Sequence, residues 1–568
     1  MSIVDWVIMI ATLLGIVIYG VYKSRNKDAA AFIGADRQLP WHVVLLGIMA
    51  TQASAITFIS GPGQAFSDGM RFLQYYFGLP LAMIVIAAVF VPLYQRLKVR
   101  TAYEFLDERF DRPTRIFTGI LFLLSRGIST GMSLYAPAIV LATIFHWNIY
   151  FIIVIITLFM LLYTYLGGAG AIAHTQKLQF VIILSAMALA AYFIIQLLPG
   201  DTPVRDALHI AGANNKLNMI TTGFDWKDKY NIYSGIIGGF FLALSYFGTD
   251  NSQVGRYIGG KGVRESRLGL LMNGIVKIPM QFLILMIGIL LFSFYSLTTT
   301  PLFFNEQAEH KVAQHFPEQY DRLSATHRQL AEQLKSRYAV LKDAGYDPGD
   351  VSVYREIRGL DSAQKANKNE FKKLIREHSS LIGASDDDTN FIFLHFVKRY
   401  LPVGTVGIIF CIIFLASWGS ISAALHSLAT STLLDFHMQL KRQPYSDEQQ
   451  LRWGRFYTLF WGLFSMVIAF FATRMKSLIE AVNELGSLFY GPILGIFLVA
   501  FFARRVKGRA VLAAGLVSEI VVLVVYWSDT VGFLWLNVIG SLCVVLTGLL
   551  FQVLFGKPSV LPDIKRLE

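Results

Sequence analysis

Cysteine and charge are the scarce commodities of this chain. Of 568 residues only two are cysteine, Cys411 and Cys543, and both lie in apolar runs. That excludes a disulfide framework and points to packing roles. Charged residues make up 15% against 54% hydrophobic ones, a balance foreign to a soluble protein of this length. The opening run "VDWVIMIATLLGIVIYGVY" lacks a basic start and an A-x-A exit, so it reads as a retained span and not a cleaved signal. No Walker-type phosphate loop is visible. No covalent chemistry is expected, and the chain is not read as an enzyme.

What is present is apolar length. Many runs approach or exceed the roughly 18 residues that a spanning helix needs. Thirteen spans are expected, at 3–22, 42–66, 72–95, 114–145, 149–167, 170–197, 233–255, 268–297, 399–434, 453–473, 476–503, 509–527 and 530–555. Lys and Arg concentrate in alternate connections, among them Arg96, Lys98, Arg100, Arg109, Arg256, Arg264, Arg504 and Arg505. By the positive-inside rule those connections and the C-terminus are cytoplasmic and the N-terminus is outside. The expected location is a bacterial inner (plasma) membrane. The net charge of +12 is then the footprint of the cytoplasmic face and calls for no nucleic-acid partner, only membrane lipid.

One long segment, 298–398, does not span. It holds 14 Lys and Arg against 15 Asp and Glu. By span parity it is external, and long translocated segments ignore the positive-inside bias. Decoration is the first reading; a lid and a module for an external partner are the others.

Polar groups at membrane depth single out three spans. Span 2 reads "LLGIMATQASAITFISGPGQAF", where "ATQASA" interrupts the apolar pattern. Span 7 contains "FGTDNSQ". The two lie five spans apart, as paired broken helices do in transporters built from inverted repeats. Spans 2–6 and 7–11 form the expected repeats. The chain accordingly divides into 1–41, 42–197 (repeat 1), 198–297, 298–398 (the insert), 399–503 (the rest of repeat 2) and 504–568. The third segment, "ASWGSISAALHSLATSTLLDFH" at 416–437, crowds hydroxyls and small residues into span 9. At about 1.5 Å per residue, Ala50 to Ala53 lie about 12–17 Å into span 2, and Ser420 about 27 Å beyond Pro402. The two segments therefore meet in the inner half of the membrane. Carbonyls of an interrupted helix and hydroxyls of span 9 together suit a hard monovalent cation.

These residues resemble the sodium:solute symporters. "TAYEFLDERF" at 101–110, "YTYLGGAGAIAHTQKLQF" at 163–180, "GTDNSQVGRYIGG" at 248–260 and "GSLFYGPILGIF" at 486–497 are similar to that family's motifs, in order. The resemblance implies an all-α polytopic membrane protein with a leucine-transporter-like 5+5 inverted repeat. It implies Na+ held by carbonyls of Ala50, Ala53 and Ala416, by Gly419 and by the Ser420 hydroxyl. The family usually has a second hydroxyl where Gly419 stands, and an acid where Gln176 stands. With Ala423 beside Ser422 these departures imply a single sodium ion per cycle. The implied substrate cavity is Gln52, Thr57, Tyr76, Asp250, Lys277 and Asn483, with Asp250 as the partner of Lys277, which lies about 14 Å deep in span 8. Arg126 reads as structural, and His174 and His426 as local packers. The implied function is sodium-coupled import of a small polar organic solute or anion by alternating access. The alternative is a solute sensor with the same fold that signals through a partner; a channel fits the broken helices poorly. The turn "SGPGQAF" resembles the iodide, monocarboxylate and vitamin carriers more than the sugar carriers.

Overall fold

The computed structural model describes residues 2–24, 39–145, 147–298, 300–347, 349–440, 445–473 and 478–555. The basic residues Arg25, Lys27, Arg37, Lys441 and Arg442 and the tail beyond Phe555 lie outside them, and so does the side chain of His174. Among the described residues there are helices and no strands. Ten helices are long and apolar enough to cross a membrane, and three shorter apolar ones cover Trp41–Gln52, Ile149–Tyr165 and Ser234–Thr249. Long apolar helices alone therefore do not reach the expected thirteen, because some crossings are broken into shorter pieces.

The elements that position the site are, in chain order, α1 (Ile3–Ser24), α2 (Trp41–Gln52), α3 (Ala55–Asp68), α4 (Arg112–Phe145) and α5 (Ile149–Gln196). They continue with α6 (Val204–Ala213), α7 (Gly239–Thr249), α8 (Asn251–Ile258), α9 (Val263–Leu297), α10 (Pro317–Asp343) and α11 (Val351–Glu377). The last are α12 (Ile392–Tyr400), α13 (Thr405–Ser431), α14 (Asp447–Ala472) and α15 (Leu478–Phe502), before the final pair Gly508–Trp527 and Phe533–Phe555. The helical run α5 does not run straight between Tyr163 and Thr175. The Tyr163 and Thr175 hydroxyls are 2.7 Å apart, whereas twelve residues of straight helix would separate them by about 18 Å.

The hydroxyl-rich segment that drew attention in the sequence forms the centre of the fold. Of the 18-residue window that marks α13 as a span, 94% is buried, and α13 packs on α1, α2, α3, α4, α5, α8 and α14. A helix walled in by other helices has no lipid face to keep apolar, so small and hydroxylated residues are tolerated all round. Its N-terminus is held by α1. The Asp5 carboxylate accepts the backbone N–H groups of Gly404 (2.6 Å) and Gly407 (3.1 Å). These are orphan donors of a helix start, and the carboxylate also suits the positive end of the dipole. Gly407 permits the approach, since a Cβ there would sit 2.3 Å from the Asp5 carbonyl oxygen.

The segment 298–398 is not uniformly peripheral. Its last part is woven into the core: the Ser60 hydroxyl donates to Asn390 Oδ1 (2.6 Å), and Ile392 to Val397 are buried. A Cβ on Gly63 would meet the Thr389 carbonyl oxygen at 1.9 Å, so α3 touches this part backbone to backbone. Leu302, Phe303, Leu323, Phe371 and Ile375 form a small apolar core of their own. The far part of the α10–α11 hairpin packs on α6, where Leu334, Tyr338, Leu341 and Ile357 bury against Ile210 and Ala213 and the Asn214 amide donates to the Tyr338 hydroxyl at 2.9 Å. Polar sequence marked the whole segment as non-spanning, but burial follows which residues face α3 and α9, and that is a tertiary matter.

Removing 324–366 and joining Leu323 to Asn367 by a short Gly/Ser linker should leave a folded protein. The Asn367 amide already donates to the Leu323 carbonyl at 3.0 Å, so the ends are adjacent; the small apolar core around Phe303 and Phe371 is kept, and only the cover that Leu334, Tyr338, Leu341 and Ile357 give to Ile210 and Ala213 of α6 is lost. A monodisperse, fully helical product is expected by gel filtration and circular dichroism. Aggregation would mean that the outer hairpin is needed for folding.

Candidate functional site

Two helix breaks at the centre of the molecule define the site. Between α2 and α3 the chain leaves helical geometry at Ala53 (φ −79°, ψ 69°) and Ser54 (φ −80°, ψ 168°). The Ser54 N–H turns back to the Gln52 carbonyl (2.9 Å), and the Thr57 N–H bonds Ser54 (3.0 Å). The carbonyls of Ala50 and Ala53 thereby lose their usual i+4 donors, and among the described residues neither accepts a backbone hydrogen bond. Between α7 and α8 the chain extends at Asp250 (φ −75°, ψ 116°). This break is closed. The Tyr94 hydroxyl donates to the Gly248 carbonyl and the Tyr103 hydroxyl to Thr249, each at 2.9 Å, and the Asp250 carboxylate caps Ser252 N–H at 2.8 Å. Only the first break leaves carbonyl lone pairs available at membrane depth, where an unsatisfied polar group is expensive.

α13 faces that first break. Ser420 lies against it, lining the same cavity as Thr51, Gln52 and Thr57. Its hydroxyl donates to the carbonyls of Ala416 (3.0 Å) and Ser417 (3.2 Å), which leaves oxygen lone pairs for a cation. The neighbouring serines are engaged elsewhere. Ser417 bonds the Ile413 carbonyl (2.8 Å), and Ser422 accepts from Thr164 of α5 (3.0 Å). Gly419 differs from the expectation. Its carbonyl is taken by the Gln176 amide (3.1 Å), so it is turned to α5 and away from the break. A Cβ at 419 would lie 2.4 Å from Gln179 Oε1, so a serine there requires the Gln179 side chain to turn aside. The donors facing the break are all oxygens, and they fit a sodium ion carried as a co-substrate. No cluster of three His, Cys, Asp or Glu suited to a metal occurs among the described residues.

Beside this lies a cavity of about 140 Å³. Gln52, Thr57, Tyr76, Lys277 and Asn483 all line it, together with Ser420. Gln52 donates to Asn273 of α9 (2.9 Å), and Asn483 accepts from the Tyr75 hydroxyl (3.0 Å). Lys277 is 2% exposed, with its ammonium 5.3 Å from the centre of the Tyr76 ring, and it forms no ion pair among the described residues.

Two sequence expectations need correction here. Asp250 neither lines the cavity nor meets Lys277; it pairs with Arg126 at 3.0 Å. The physical reason is its place at the start of α8, where one oxygen must cap the helix and the other faces α4. Arg126, read as structural, is itself a lining residue. Sequence reasoning also missed Asn273, Ser129, Thr130 and Ser133. The last three share one face of α4 at i, i+1 and i+4, a pattern that hydroxyls in an apolar helix could have signalled. His426 does bond locally, with Thr430 at 3.4 Å. At the basic end of the molecule, Thr101 and Arg115 both hold Asp435 (2.7 and 2.8 Å), so the 101–110 stretch serves as a clamp on the chain just after α13.

Comparison with known proteins adds to this geometry. Residues 32–314 and 370–518 match the family model of the sodium:solute symporter family. The sodium/sialic acid symporter NanT of Aliivibrio fischeri is 24% identical over 97% of this chain and 93% of its own length. The human sodium/iodide cotransporter is 26% identical over 51% of this chain and 44% of its own. A solved structure of a Na+-coupled sialic acid symporter superposes with a TM-score of 0.75 at 22% identity, covering 99% of this chain and all of the other, which establishes the shared fold.

Ser420→Ala should weaken sodium activation about tenfold or more, since contacts to a charged group are worth about 1.5–3 kcal/mol. Ser417→Ala and Ser422→Ala should change it by no more than about twofold, because neither residue lines the cavity at the break. The sodium concentration for half-maximal activity measures this, and a reversed order sinks the assignment. Gly419→Ser should cost about 1–3 kcal/mol of stability through overpacking, and Gln179→Ala should recover most of it in a thermal melt.

Proposed function

The chain belongs to the sodium:solute symporter family; it is a sodium-coupled membrane symporter and not an enzyme, and from that premise we propose that its solute is a small organic anion. The observation that carries this is Lys277. A buried ammonium without a counter-ion is costly at membrane depth, whereas Arg126 and Arg115 have theirs in Asp250 and Asp435. The solute's carboxylate supplies the missing charge, and the Tyr76 ring face holds the ammonium in the meantime. Gln52, Thr57 and Asn483 offer donors and acceptors for the solute's polar atoms. A relative named for sialic acid, a carboxylate, supports the same class, and one named for iodide supports an anion in general.

Sodium enters first at the break between α2 and α3. It ties the Ala50 and Ala53 carbonyls to the Ser420 hydroxyl of α13 and so joins the two repeats. That fixes Gln52 and Thr57, which flank the break, for the solute. Both leave when the repeats rock and the paired contacts at the other end open. One sodium per cycle fits Gln176, whose amide donates to Gly419 and stands where a second site would need a carboxylate. The net charge of the loaded cavity is then close to that of the empty one, because cation and anion enter together. The basic end faces the cytoplasm of a bacterial inner membrane, and the α10–α11 hairpin faces outside.

In proteoliposomes with an imposed sodium gradient, small carboxylates should accumulate and neutral sugars should not. Lys277→Met should lower kcat/KM for the carboxylate about 30-fold or more, the scale for truncating one member of a buried charge pair. Equal uptake of a neutral sugar, or an indifferent Lys277→Met, would refute an anionic solute. A sodium Hill coefficient clearly above one would refute the single ion.

A further inference from the structure

A second cavity, of about 260 Å³, lies between the α10–α11 hairpin and the core, walled on the core side by Ser67, Phe292 and Lys216. Its hairpin wall comes from His327, Lys365, Lys368 and Lys372. The family model leaves 315–369 unmatched, so most of this wall is an addition to the common core.

The chemistry of the lining is one-sided. Four ammonium groups, Lys216, Lys365, Lys368 and Lys372, meet two carboxylates: Asp361, 2.5 Å from Lys365, and Asp388, 2.7 Å from Lys368 and 3.7 Å from Lys372. Lys216 is 5% exposed and has no carboxylate within ion-pair distance among the described residues; its ammonium donates to the Ser67 carbonyl (2.6 Å) and lies 5.0 Å from the centre of the Phe292 ring. Burial and the nearby Lys365 push it down to about 8, against the opposing pull of Asp361 and Asp68. His327 is 3% exposed. Its Nε2 bonds the Thr300 carbonyl at 3.1 Å, which can only accept, so Nε2 carries the proton. Burial holds the ring neutral, pushing it down to about 4. Nδ1 is therefore an acceptor, and it is buried without a partner among the described residues. Such an atom calls for a donor.

We propose that this cavity binds a small hydroxylated carboxylate: the carboxylate lies among the lysines, and a hydroxyl donates to His327 Nδ1. A halide or a plain carboxylate answers the charge but leaves Nδ1 unsatisfied; a phosphate dianion keeps one hydroxyl that can donate to Nδ1 and is the rival ligand that the titration decides. The site stands apart from the central cavity and does not depend on the reading of Lys277. It touches transport through Lys216, which holds the last turn of α3, the helix whose other end is the sodium-facing break.

The test is calorimetric titration of the full chain in nanodiscs without sodium, carrying Lys277→Gln to silence the central cavity. Lactate, propionate and inorganic phosphate are the probes. Lactate is expected to bind at one site and in preference to the other two. Lys365→Gln with Lys372→Gln should weaken it about tenfold or more, as expected for lost contacts to charged groups. His327→Leu should abolish the preference for lactate over propionate while leaving propionate binding in place, a result that general damage to the hairpin would not give. The 324–366 deletion should bind none of the three. Phosphate bound more tightly than lactate, lactate binding indifferent to the lysine changes, or binding retained in the deletion would each overturn the proposal. Loss of uptake in Lys277→Met bears only on the central cavity, so the two readings fail separately.

Discussion

Backbone polarity is the constraint on which this structure turns. A helix broken inside a membrane exposes carbonyls that no water can satisfy. The fold contains two such breaks, and it treats them differently. At the break after α7, Tyr94, Tyr103 and Asp250 close the exposed groups from neighbouring elements. At the break after α2, the carbonyls of Ala50 and Ala53 have no such donors. An inverted repeat places the two breaks at corresponding positions, but only the first leaves carbonyls without a backbone donor among the described residues. In the proposed function, sodium coupling begins with that difference between otherwise related halves.

The same accounting applies to charge. Arg115 and Arg126 are buried and paired, and each pair joins elements far apart in the chain. Those ion pairs and the tyrosine hydroxyls beside them make the end of the molecule near the second break stiff. Lys277 lines the cavity without an ion pair among the described residues, and in the proposed function it and the free carbonyls at the first break are completed by what is carried. Stability and transport are thus divided between groups that satisfy one another and groups that await a partner. α13 lies between the two sets, its small residues allowing seven helices to pack on it.

Much of this is legible in the chain because membranes penalise polarity so heavily. A polar interruption in an apolar run has few explanations, so "ATQASA" and Lys277 pointed to the cavity, and "GTDNSQ" to the second break, without any coordinates. Position within a helix also carried Ser420, which lies where depth along the span puts it. The failures came where a side chain has more than one neighbour within reach. Asp250 was matched to the cation that lacked an acid, but Arg126 is the one that α4 brings to it. Gly419 looked like a lost ligand, and it is a contact point for Gln179. Asp5, near the start of the chain, gave no sign that it would cap a helix four hundred residues later.

The sequence by itself determined the class of the protein, the run of its spans, the two breaks and the types of atom that line the path. These follow from local hydropathy and from the cost of burying polar groups, which act residue by residue. Tertiary structure alone decided which break is closed, which cation is left unpaired, and that the far hairpin folds back to wall a second, basic cavity. Those outcomes depend on distances of about 3 Å between helices remote in sequence. Hydropathy is blind to such distances, because a lysine facing an aspartate and a lysine facing an empty cavity have the same sequence pattern around them.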